Sequence, residues 1–211
     1  IAVPGDPSSA AFFVALTLIN KNSVLKIKSV CLNPTRVGFY ELLKKSNGKI
    51  KFKNVKKINN EIVGDIIVSS SKLKPIKANK EFYVKATDEY PIMFVIAALT
   101  PGISIFKGIT DLANKESNRI QEMKKILKKV GIRCITNKSG MKIYGKAKVK
   151  KINKIIKVDP HGDHRIAMSS LILSLITGIP FVIKNFNTVY TSSPSFLKII
   201  KSLGGSFEVK K

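Results

Sequence analysis

The chain has 211 residues, of which 44% are apolar and 24% charged, ordinary proportions for a globular protein with ample material for a core. No window reaches the roughly 18 uncharged apolar residues of a membrane-crossing helix; the longest apolar stretch, around 166–179, is broken by Ser and Thr. Only four arginines stand behind the net charge of +25, and arginine is the bidentate reader of nucleic acid, so the scattered lysines read first as a solvated surface produced by AT-rich codon bias, with steering of small anions and nucleic-acid binding as the lesser alternatives.

In chain order, Gly5-Asp6-Pro7-Ser8-Ser9 opens an apolar run over 10–19 that reads as a helix capped by a Ser or Asp. A strand follows near 25–30, then a helix over 36–45 stopped by Asn47-Gly48, then strands over 49–55 and 65–70. The order then repeats. Asp88-Glu89-Tyr90-Pro91 leads an apolar helix to Leu99, and Pro101-Gly102 turns into a strand over 103–107. An amphipathic helix over 116–130 carries Ile120, Met123, Ile126, Leu127 and Val130 on one stripe; Gly131 stops it before strands over 132–136 and 141–144. In the third round, Gly162-Asp163-His164-Arg165 precedes a helix over 166–177, and Gly178-Ile179-Pro180 turns into a strand over 181–184. Pro194 sits in the first turn of a helix to Leu203, Gly204-Gly205 ends it, and 207–209 reads as a last strand.

Three such rounds, about 5–71, 85–146 and 160–211, predict one α/β domain of pseudo-threefold architecture. The first helix of each unit is apolar nearly all round, so the three belong together inside, with amphipathic helices and sheets outside. The loosest stretches are 71–80 and 146–159. The third unit lacks the second strand of its final pair, and the chain opens without an initiator Met or the layout of a signal peptide, so a piece of a longer protein is expected. Cys31 and Cys134 match no metal spacing and fit a reducing compartment, the cytoplasm or an organelle lumen reached by a transit peptide.

Polar residues gather where each first helix begins: Asp6, Ser8 and Ser9; Asp88 and Glu89; Asp163, His164 and Arg165. Helix capping explains the first group. Asp88 beside Glu89 is more acid than a cap requires. Arg165 opposes the helix dipole, so it needs an anion, either Asp163 or a bound phosphate or carboxylate. Lys115 and Arg119 are four apart and, on a helix starting near 116, project to one side; in isolation the motif reads either as a solvated charged first turn or as an anion site where Glu116 among cations suits a proton carrier. His161 and His164 lack a second His or Cys cluster that would complete a metal site. Phosphate-loop, dinucleotide and nucleophile-elbow motifs are absent.

Gly5-Asp6-Pro7-Ser8-Ser9-Ala10, Asn33-Pro34-Thr35-Arg36, Asp88-Glu89-Tyr90-Pro91, Lys115-Glu116-Ser117-Asn118-Arg119, Asp163-His164-Arg165-Ile166-Ala167-Met168 and Thr191-Ser192-Ser193-Pro194, in this order and spacing, closely resemble the 5-enolpyruvylshikimate-3-phosphate (EPSP) synthase family. The resemblance covers essentially the whole chain and matches the family's C-terminal domain. It implies an EPSP synthase-like fold of three βαβαββ repeats, half of an inside-out α/β barrel, in a protein whose N-terminal domain lies outside 1–211. It further implies enolpyruvyl transfer from phosphoenolpyruvate to the 5-hydroxyl of shikimate 3-phosphate, with no cofactor, no metal, no nucleic-acid partner and a monomeric full-length enzyme. By position, Asp88 corresponds to the carboxylate that holds the shikimate hydroxyls and accepts a proton. Glu116 corresponds to the acid–base group, Lys115 to a shikimate 3-phosphate contact, and Arg119 with Arg165 to the phosphoenolpyruvate-binding pair. Many members carry a lysine just before the segment that here reads Thr191-Ser192-Ser193-Pro194. The family's N-terminal Lys, Ser and Arg site residues are not in this chain, so the isolated 211 residues are expected to bind weakly and not turn over.

Two alternatives remain at this point. A UDP-N-acetylglucosamine enolpyruvyl transferase shares the fold, but Lys115–Arg119 and Asp163–Met168 argue against it. A lysine-rich nucleic-acid-binding module is disfavoured because Phe is spaced as core, not as a stacking surface.

Overall fold

The computed structural model describes residues 3–150 and 152–209. Three helices form its centre. Helix α1 (Pro7–Ile19) starts where the Asp6 carboxylate accepts the N–H groups of Ser8 and Ser9 at 3.3 and 2.8 Å, which makes Asp6 the cap. Helix α4 (Tyr90–Ala98) has Pro91 in its first turn and all nine residues buried. Helix α6 (His164–Thr177) is capped by Asp163 and ends at Gly178, whose φ of +66° is the left-handed geometry that glycine adopts without strain. None of the three has a polar stripe, and each touches the other two.

The first unit continues with β1 (Val24–Cys31), α2 (Gly38–Lys45), β2 (Lys49–Ile58) and β3 (Glu61–Ser69). The second runs through β4 (Lys77–Ala78), α3 (Lys80–Lys85), a 3₁₀ turn (Thr87–Glu89), α4, β5 (Gly102–Lys107), a 3₁₀ turn (Thr110–Asn114), α5 (Arg119–Lys129), β6 (Arg133–Asn137) and β7 (Gly140–Gly145). The third comprises β8 (Ile156–Val158), α6, β9 (Phe181–Ile183), α7 (Thr188–Ser192) and α8 (Phe196–Ser202).

Sheet order repeats as the helices do. The first sheet is β1-β3-β2 and the second β4-β5-β7-β6. In each unit a short extended segment runs parallel to the strand after the central helix: Gly5 bridges Val30, β4 pairs with β5, and β8 with β9. Parallel pairing requires a crossover of a dozen or so residues, and the central helices are those crossovers. The sheets do not close into a barrel. One hydrophobic cluster spans all three units, with Phe196 of α8 packed against Phe12 and Phe13 of α1 at centroid distances of 5.9 and 5.4 Å.

Several elements differ from the sequence expectation. The helix expected from 116 begins at Arg119, because the Asn118 side chain accepts the Gln121 N–H at 3.0 Å and caps it there. The helix expected from 36 begins at Gly38, after a turn in which the Arg36 N–H donates to the Asn33 carbonyl. The loose stretches contain β4 and β8. The strand expected over 207–209 is not formed; these residues carry no regular secondary structure. Phe207 and Val209 instead line a concavity of about 720 Å³ with Phe181, Ile183, Phe186 and Tyr190.

Candidate active site

The starts of α4, α5 and α6 bring four charged residues together around Arg119. Its side chain is only 1% exposed, an extreme position for a guanidinium, and three carboxylates from two units compensate it. Nε donates to Asp163 Oδ2 at 2.8 Å, Nη1 to Asp88 Oδ1 at 3.1 Å, and Nη2 to Glu116 Oε2 at 2.6 Å. Burial opposes the charge, but Asp163, Glu116 and Asp88 outweigh it and hold the guanidinium above its ordinary pKa.

Asp163 is the fixed point. Its side chain is fully buried; Oδ1 caps α6 by accepting the N–H groups of Arg165 at 2.9 Å and Ile166 at 3.4 Å. Oδ2 takes Arg119 Nε and the Ser117 hydroxyl, the latter at 3.0 Å. One carboxylate thus ties the third unit to the second while closing a helix end. Of the two partners open for Arg165, Asp163 binds its backbone, and the guanidinium reaches Asp88 instead, Nη2 to Oδ2 at 3.3 Å. Arg165 Nε is buried and has no hydrogen-bond partner. His164, next to it, is held below the usual histidine pKa by burial and by the Arg165 charge, so it is neutral at pH 7.

Asp88, Glu116, Arg119 and Arg165 therefore share one wall. Lys115 departs from the expected arrangement. Because α5 begins at Arg119, Lys115 and Arg119 do not share a helix face, and Lys115 Nζ pairs with Asp111 Oδ2 at 3.2 Å. The Tyr83 hydroxyl donates to the same oxygen at 2.8 Å. At Thr191-Ser192 no cation stands, and the Thr191 hydroxyl donates to the Thr188 carbonyl.

Three residues near the wall carry more structure than their sequence showed. Arg36 Nη2 donates to Asp6 Oδ1 at 3.0 Å and to the Ser8 hydroxyl at 3.1 Å, joining the turn before α2 to the start of α1. The Tyr40 hydroxyl donates to the Pro7 carbonyl at 2.5 Å. Glu89 is buried behind Asp88, and burial pushes its pKa up although the Ser8 hydroxyl and Arg165 pull it back. The adjacent Asp-Glu pair was the available signal: one acid faces the wall, the other lies beneath it.

A profile of the family described as EPSP synthase (3-phosphoshikimate 1-carboxyvinyltransferase) matches residues 1–200. The chain belongs to the EPSP synthase family. It is 41% identical over 201 residues to the 3-phosphoshikimate 1-carboxyvinyltransferase of Petrotoga mobilis, covering 95% of this chain and 46% of the relative. To the enzyme of that name from Zymomonas mobilis it is 38% identical over 211 residues, covering 99% and 47%. It is similar in structure to the EPSP synthase of Acinetobacter baumannii, with a TM-score of 0.93 at 36% identity, covering 99% of this chain and 48% of that one. The enolpyruvyl transferase NikO of Streptomyces tendae, at 11% identity and a TM-score of 0.72, shares the fold. The chain spans about half the length of the curated EPSP synthases it matches.

Proposed function

We propose that residues 1–211 form the C-terminal domain of a two-domain enzyme that joins phosphoenolpyruvate to shikimate 3-phosphate. The observation that carries this is Arg119 and Arg165, from different units, held on one Asp88 carboxylate beside Glu116. Two guanidiniums suit a ligand that bears both carboxylate and phosphate. Both substrates are anions, so neutralising them serves affinity and geometry together.

In the proposed reaction, Glu116 delivers a proton to the methylene carbon of phosphoenolpyruvate while the 5-hydroxyl of shikimate 3-phosphate attacks C2 and passes its proton to Asp88. The resulting tetrahedral intermediate expels phosphate, which leaves with the proton held by Asp88, as Glu116 takes a proton back from the methyl group; this restores the double bond and resets both acids. Arg119 and Arg165 hold the carboxylate through both steps. Lys115, paired with Asp111 here, is the cation this reading assigns to the phosphate of the other substrate, and no step calls for a cofactor or a metal. The opposite wall belongs to the N-terminal domain, so this chain alone does not turn over. A monomeric cytoplasmic setting suits the two free thiols, and burial raises the Cys134 pKa to about 12, which leaves that thiol unreactive.

Phosphate release by the full-length protein tests the proposal. Release from phosphoenolpyruvate should depend on shikimate 3-phosphate; release with UDP-N-acetylglucosamine in its place would overturn the substrate assignment.

A further inference from the structure

Asp88 lies across the arginine pair, with Oδ1 on Arg119 and Oδ2 on Arg165. The two guanidiniums are nearly sealed, at 1% and 10% exposure, whereas the Asp88 side chain is 46% exposed. Arg119 has its other edges committed: Nε and Nη2 serve Asp163, and Nη2 also serves Glu116. On Arg119, what remains for a ligand is the place where the Asp88 carboxylate sits; Arg165 meets Asp88 through Nη2 and keeps an unpartnered Nε. A carboxylate that spans two guanidiniums imitates the carboxylate of an anionic substrate.

We propose that Asp88 is a displaceable counter-ion, so that seating the anionic substrate on Arg119 and Arg165 and releasing the Asp88 carboxylate toward the substrate alcohol are one exchange. This rests on the function proposed above. An arriving anion cannot share the pair with Asp88, because two like charges in contact repel, so one must leave. Asp163 is fully buried and holds both a helix end and Arg119, and Glu116 touches Arg119 alone. Glu116 is as exposed, at 49%, but Asp88 alone touches both arginines, and it stands on a short 3₁₀ turn, Thr87–Glu89. It is the group that water can take over. While its oxygens accept N–H bonds from both arginines they are committed; once released, they are free to accept a hydroxyl proton. The resting enzyme thereby withholds its proton acceptor until the anion is in place.

Calorimetric titration of the full-length protein with phosphoenolpyruvate, without the alcohol substrate, tests the exchange. Removing the competing carboxylate in Asp88→Asn and Asp88→Ala should tighten binding about tenfold, the effect of deleting one charged competitor, even though both variants lose turnover. Unchanged or weaker binding in variants that keep a cooperative thermal transition would overturn it. Should neither variant fold, the carboxyl carbon resonance of Asp88 in the wild type decides: it must shift on adding phosphoenolpyruvate, and a stationary resonance at saturation refutes the exchange. Absence of phosphate release from the wild type would sink the functional proposal, whereas release together with unaltered variant affinity would sink only this one.

Discussion

Arg119 and Asp163 set the terms at the scale of single residues. A guanidinium this deep persists only because its N–H groups meet carboxylates, and Asp163 meets it with every other demand on its own oxygens already satisfied. Asp163→Asn removes the charge while keeping a capping oxygen. Loss of the one fully buried carboxylate among the three that meet Arg119 should cost about 3 kcal/mol in urea unfolding, where loss of a cap alone would cost about 1 kcal/mol. Glu89 gives a prediction of opposite sense. Its folded pKa lies above the ordinary 4.5, so the folded state holds the proton more tightly than the unfolded chain. The stability it contributes is complete below that ordinary value and is lost as pH rises through the raised pKa. Urea unfolding from pH 4 upward should show this decline in the wild type and not in Glu89→Gln, which carries no titrating proton.

Elements were legible where local chemistry fixes them. Asp6 before α1, Asn47-Gly48 after α2, Gly131 after α5 and Gly178 after α6 all act where their residue types direct, because caps and left-handed stops are decided within a few residues. The leading strands were not legible. Two residues in β4 and three in β8 are too few to show alternation, and only their parallel partners make them strands. The start of α5 was misplaced because Lys115-Glu116 looks like a charged first turn, whereas the Asn118 cap sets the boundary three residues on. Burial of Arg119 was equally hidden, since its partner Asp163 lies 44 positions away. Packing between elements is tight enough to test. A Cβ on Gly145, at the end of β7, would collide with the backbone carbonyl oxygens of Thr100 and of Ala97 at the end of α4. Gly145→Ala should therefore destabilise by about 2 kcal/mol or more as backbone is forced apart, measured as a fall in the urea midpoint.

For the whole molecule, the repeat explains why chemistry gathers at one end: three central helices begin side by side, so residues far apart in sequence share a wall. The motifs made the family legible in the sequence, and the order of the charges on that wall required the fold. The net charge of +25 on these 211 residues should draw the proposed anionic substrates inward, so kcat/KM for phosphate release by the full-length protein should fall as ionic strength rises. The central claim is that this wall is half of a site. It is tested most directly by measuring phosphate release from phosphoenolpyruvate and shikimate 3-phosphate with this chain alone, then after joining it to the other half. No release from the chain alone and release from the joined protein is the predicted result. Turnover by the 211 residues alone, or none from the joined protein, would contradict it.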